Sequence, residues 1–203
     1  MKLFESTDSC NEFLAPITEA LKRNQRLSID YQGYQTSSHL EEGIIIEPLC
    51  LKMFKRRWYL LANKVAVNEK RLYCLDRIRD CKFTNDTFAY PKDFNAEKYF
   101  EKYFGVSLNG FEGHDTEPCI VTLRAYGSLP KYLKSQPLHP TQREEEGNGY
   151  TDFRYVLIPA YDFVEELLMH SQDLEVRSPD WLRDKVANIL TNAADRYKNP
   201  QSV

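Results

Sequence analysis

No uncharged run in this sequence approaches the roughly 20 apolar residues that a membrane-crossing helix needs. The start, Met1-Lys2-Leu3-Phe4-Glu5-Ser6-Thr7-Asp8, has no apolar core and carries acids early, so it does not read as a secretory leader. The cysteines number five, an odd count, and no two stand in a Cys-x-x-Cys spacing. That excludes a disulfide framework and fits small buried thiols in a reduced, cytoplasmic protein. Equally missing are Gly-x-Ser-x-Gly, a Walker loop, the dinucleotide glycine fingerprint and His-Glu-x-x-His. The four histidines, His39, His114, His139 and His170, stand in loops or at a helix end, beside no Cys or Ser in a nucleophile motif. The sequence therefore points away from catalysis, and it calls for no cofactor and no metal.

What is there is an ordinary globular mixture: 42% apolar and 28% charged residues over 203 positions, enough for one large domain or two small ones. Net charge is −3, which argues against a non-specific nucleic-acid coat. Its distribution argues differently. Residues 50–82 hold ten Lys/Arg against three acids, a local +7 that leaves −10 for the remainder. A basic field inside an acidic chain is the footprint of an anion site, or else the solvated ends of alternating strands.

The pattern along the chain predicts a mixed α+β protein. Residues 11–24 read as a short helix, with Pro16 in its first turn and Ile17, Ala20 and Leu21 at helical spacing. From 26 to 83, four or five short strands follow one another with tight turns, the rhythm of a small sheet or barrel. They run through Leu27-Ile29-Tyr31, then Ile44 to Met53, Trp58 to Val67, and Arg71 to Phe83 with a bend at Asp76. A helix is expected over 95–104 and a glycine-bearing linker over 105–117. The remainder gives strand 119–126, helix 129–135, a hairpin around Gly147-Asn148-Gly149, and a helix capped by Asp162 with Glu165. A brief strand 174–177 and a last helix with Ser178 as cap and Pro179 first complete it. That order, β-α-β-β-α-β-α, is that of a ferredoxin-like sandwich with one extra helix.

Alternation assigns roles within the basic strands. In a regular strand Arg71, Tyr73, Leu75 and Arg77 share a face, an arginine-and-ring platform suited to phosphate and stacked bases. Trp58 and Tyr59 point to opposite faces, Trp58 toward Leu60 and Ala62, Tyr59 toward the groove. The competing reading buries both rings and pairs the arginines with Asp30, Asp76 or Asp80.

Three blocks in order, Glu47-Pro48-Leu49-Cys50-Leu51-Lys52, Arg57-Trp58-Tyr59-Leu60-Leu61-Ala62 and Arg71-Leu72-Tyr73-Cys74-Leu75-Asp76-Arg77-Ile78, resemble the WYL domain, named for the tripeptide at 58–60. Val121-Thr122-Leu123, His139-Pro140-Thr141-Gln142 and Leu174 through Arg183 resemble the WCX extension that follows it in that family of transcriptional regulators. The resemblance covers most of residues 25–197. It implies a small Sm/SH3-like β-barrel (25–90) after a connector helix (1–24), then a linker (91–117) and a ferredoxin-like βαββαβ domain (118–203). It implies a bacterial regulator that senses nucleic acid, single-stranded DNA or a nucleotide, with Tyr31, Tyr59, Arg71, Arg77 and His39 as groove residues, working as a homodimer. Many relatives carry an Arg where this chain has Ile44, so the groove is expected to be less basic at that end. Only about 25 residues precede the first strand, against roughly 60 for a winged helix-turn-helix. Operator DNA would then be read only through a domain this chain does not contain. The alternative from a different class is a protein-interaction adaptor that recruits a partner through the sheet edge or the Tyr-rich stretch 90–104.

Overall fold

The computed structural model describes residues 12–34, 39–111, 113–114 and 117–199. The chain divides between Ala96 and Glu97 into two compact units, each with its own apolar core.

The first unit opens with helix α1 (Leu14–Arg23). Its buried residues, Ile17 and Ala20, are one helical turn apart. Asn24 takes the left-handed conformation (φ 49°) and gives its N–H to the carbonyls of Ala20 and Leu21, which ends the helix. Five strands follow: β1 (Gln25–Gln32), β2 (Leu40–Phe54), β3 (Arg57–Lys64), β4 (Glu69–Cys74) and β5 (Ile78–Thr87). They form one antiparallel sheet in the order β4-β3-β2-β1-β5. The sheet is open, with β4 and β5 as its edges, and among the described residues it does not close into a barrel. The expected alternation holds on β1, where Leu27 and Ile29 are fully buried. β2 begins earlier than its apolar residues announce, because Leu40 and Glu41 pair with Gln32 and Tyr31 through the backbone while their side chains stay exposed.

The single bent strand expected over 71–83 is instead two strands joined by a 3-10 turn at Leu75–Arg77. Leu75 and Ile78 are both buried in the core. An interval of three cannot keep two residues on one face of a strand, but it places them in line in a 3-10 turn. The core of this unit gathers Leu27, Ile29, Ile44, Ile46, Leu60, Ala62, Tyr73, Leu75 and Ile78 under α1. A large apolar side chain buried this fully contributes about 1.5–3 kcal/mol.

The helix α2 (Ala96–Phe100), whose first residue closes the first unit, has five residues and stops short of the ten expected. β6 (Cys119–Tyr126), α3 (Leu129–Ser135), β7 (Arg143–Glu146), β8 (Tyr150–Leu157), α4 (Tyr161–Met169), β9 (Leu174–Ser178) and α5 (Asp180–Lys198) follow. The four strands are antiparallel in the order β7-β8-β6-β9. One face of the two central strands supplies Val121, Leu123 and Ala125 opposite Tyr155, Phe153 and Thr151, and all six are buried. Two expected caps are not caps. Ala160, not Asp162, precedes α4. The Asp162 carboxylate lies inside the first turn, where Oδ2 accepts the N–H groups of Val106 (2.7 Å) and Ser107 (2.6 Å). Ser178 ends β9, and Pro179 stands at the cap position of α5.

Candidate functional site

The residues proposed from sequence do not stay together. Arg71 lies directly across from Ala62 on β3, and Ala62 belongs to the core face. Tyr59 is three residues from Ala62, so it points to the opposite face, across from Cys74. Tyr59 and Arg71 therefore cannot form one platform. Arg71 is exposed and faces Glu69 at 3.4 Å. Trp58 packs against the core that contains Leu60 and Ala62, as alternation predicts. His39 is exposed just before β2.

Three of the five proposed residues do converge, around Cys74 and the 3-10 turn that follows it. The Tyr31 hydroxyl accepts the Cys74 N–H (3.3 Å), and its ring meets Tyr73 edge-on at 5.1 Å. Tyr59 is the cross-strand partner of Cys74. The Arg77 side chain lies beside the Tyr31 hydroxyl and lowers its pKa, and its guanidinium lies 4.4 Å from the Tyr34 ring centroid. Tyr34 is 60% exposed, so this ring lies over the arginine from the solvent side.

The electrostatics are set by burial and by two charges. Burial pushes the Tyr59 phenol up to about 12 and the Cys74 thiol, with Asp76 beside it, to about 11. Tyr31 is raised by burial as well, although the Cys74 N–H and Arg77 pull it back. All three are neutral donors and acceptors at ordinary pH. Arg57, the first residue of β3, donates to Asp76 Oδ2 at 2.9 Å, and the acid holds the guanidinium more firmly charged. Asp76 is only 11% exposed, so this is a half-sheltered pair. Its other oxygen, Oδ1, is fully buried and unbonded, as is Arg77 Nε.

Sequence reading missed Tyr34 and gave Arg57 no role of its own. The turn before it is Lys55–Arg56, both residues in the left-handed region (φ 43° and 65°). Arg57 is already strand, opposite Phe54. Asp76 was weighed only as a structural partner for arginine, and with Arg57 it is one. No period marks Tyr34, which stands in a polar connection, and the 3-10 turn that brings Arg77 under it interrupts the strand pattern.

Fold and site together define a two-unit α+β protein whose first sheet carries a basic, tyrosine-lined cluster at a turn between its two edge strands. Its family is shown directly: the WYL domain matches residues 12–83 and the WCX domain residues 117–194, in that order. The chain belongs to the WYL-domain family, with a WCX domain following. It is similar to the solved structure of proteasome accessory factor B/C (PafBC) of Arthrobacter aurescens, at 20% identity and a TM-score of 0.41, over 96% of this chain and 28% of that one. A CRISPR Cas-related protein matches at 12% identity and a TM-score of 0.58, over 94% of this chain and 53% of its own. The latter likeness concerns the fold alone. The chain thus spans about half or less of the length of these structures. No curated protein matches it.

Proposed function

We propose that this chain is the ligand-sensing part of a bacterial transcriptional regulator, and that it takes single-stranded DNA or a nucleotide against the cluster of Arg77, Tyr31, Tyr34 and Tyr59. The observation that carries this is the setting of Arg77: a guanidinium ringed by tyrosines, with one N–H buried and unbonded, in the most basic stretch of the chain. Arginine donates to acceptors in a fixed fork, and neutral rings give bases a surface to stack on. The family supports a regulatory role. Operator reading would belong to a helix-turn-helix domain outside this chain, and the regulator would act as a homodimer.

Strand order supports a finer account of the fold as well. β5 beside β1, with a 3-10 turn leading into it, fits an opened Sm/SH3-like barrel. The order β7-β8-β6-β9, with helices after β6 and β8, fits a ferredoxin-like domain.

Titration of a labelled single-stranded oligonucleotide tests the function. Arg77→Ala is expected to weaken binding by about 10- to 150-fold, the equivalent of one charge-assisted hydrogen bond of about 1.5–3 kcal/mol. Arg71→Ala, exposed and paired with Glu69, is expected to change it less than about threefold. Equal losses from the two variants would return the site to the β4 strand. Unchanged binding in Arg77→Ala would remove the cluster as the site.

A further inference from the structure

A carboxylate is an odd companion for a site that takes a polyanion. Asp76 stands next to Arg77 in the same three-residue turn, and one of its oxygens is held by Arg57. The other is buried and accepts nothing, while Arg77 Nε is buried and donates to nothing. A buried polar atom left unbonded costs about 1–3 kcal/mol. Here an acceptor and a donor are both left so, on adjacent residues of one turn, the donor beside Tyr31 and Tyr34.

We infer that this cluster recognises the edge and face of a nucleobase, with Asp76 as the residue that sets this specificity against phosphate. The inference rests on the nucleic-acid reading of the site and narrows it. A phosphate group offers acceptors only. It satisfies Arg77 but leaves Asp76 Oδ1 unbonded, and it brings a second negative charge beside a sheltered carboxylate, where screening by water is reduced. A base edge instead offers an N–H donor beside a ring or carbonyl acceptor. The donor answers Asp76 Oδ1 and the acceptor answers Arg77 Nε. Tyr34 already covers the guanidinium from the solvent side, in the manner of a stacked ring. An exposed cation–ring contact of this kind is worth about 0.5–1 kcal/mol. Stacking of a base on aromatic side chains is worth about 1–3 kcal/mol, enough for the ligand to displace the Tyr34 ring. The Arg57–Asp76 ion pair fixes the carboxylate in place before the ligand arrives. Phosphates would lie further out, against the general basic field of residues 50–82.

The test compares three probes on the full chain: a short mixed-sequence single strand, an abasic strand of the same length and charge, and deoxyguanosine as a phosphate-free competitor. The base-bearing strand is expected to bind at least about tenfold more tightly than the abasic one, in line with the loss of one stacked base, and deoxyguanosine is expected to displace it. Asp76→Asn, checked for folding by its thermal melt, is expected to narrow that gap by weakening the first strand and strengthening the abasic one. Equal binding of the two strands, or a folded Asp76→Asn with the gap unchanged, overturns the inference and leaves nucleic-acid binding standing. Failure of every strand to bind overturns both.

Discussion

Two neighbouring tyrosines make opposite predictions. The Tyr73 hydroxyl is buried and unbonded, so Tyr73→Phe removes a cost and is expected to leave stability unchanged or raise it by up to about 1 kcal/mol. The Tyr31 hydroxyl accepts the Cys74 N–H, so Tyr31→Phe strands a backbone donor and is expected to cost about 1–2 kcal/mol. Urea unfolding of the two single variants separates them by sign. The thiols of Cys50, Cys74 and Cys81 are each pushed to about 11 by burial, from an ordinary value of 9. The folded state holds them protonated, so their contribution is whole below pH 9 and is lost as pH climbs toward 11. Unfolding midpoints should therefore fall between about pH 9 and about pH 11, and a flat profile there would contradict the burial of these thiols. At this scale the sequence was legible where alternation ran unbroken. Trp58, Leu60 and Ala62 took the core side as their spacing requires. It was illegible at Arg77, where the chain leaves the strand period after Cys74, and at Tyr34, whose partner lies 43 positions away.

Among the elements, the tightest link between two strands is poorly suited to its residues. β2 and β3 are joined by Lys55–Arg56, a two-residue turn with both φ values positive. Such turns favour Asn-Gly, and a non-glycine residue there costs roughly 1 kcal/mol. Lys55→Asn with Arg56→Gly is expected to raise stability by about 1 kcal/mol, measured by urea unfolding. A loss instead would mean that contacts made by these two side chains outweigh the backbone preference. In the second unit, Asp162 does work that its position in the sequence did not announce. The capping pattern with Glu165 was there to read, but the carboxylate serves a segment more than 50 residues earlier. Asp162→Ala leaves the N–H groups of Val106 and Ser107 without their acceptor and is expected to cost about 2–4 kcal/mol. The cause of the misreading is general. A local motif names what a side chain can bond, and tertiary packing decides what it does bond.

On the scale of the whole molecule, order was legible and closure was not. The βαββαβ sequence of the second unit followed from turn residues and period, whereas in the first unit the one strand expected over 71–83 is two. Whether the first sheet closes depends on pairings between its edges, and no local pattern encodes those. One consequence of its topology is geometric. Five flat strands about 4.8 Å apart would hold their outer members about 19 Å from each other. Yet Cys74, ending one outer strand, and Ile78, beginning the other, are joined by three residues, a chain that spans at most about 14 Å. The sheet must curl enough to bring those two ends within that reach, and Leu75–Arg77 is the clasp between its margins. On the function proposed above, a ligand held by Arg77 would sit on the clasp itself, at the one place where the chain passes directly from one margin of the sheet to the other.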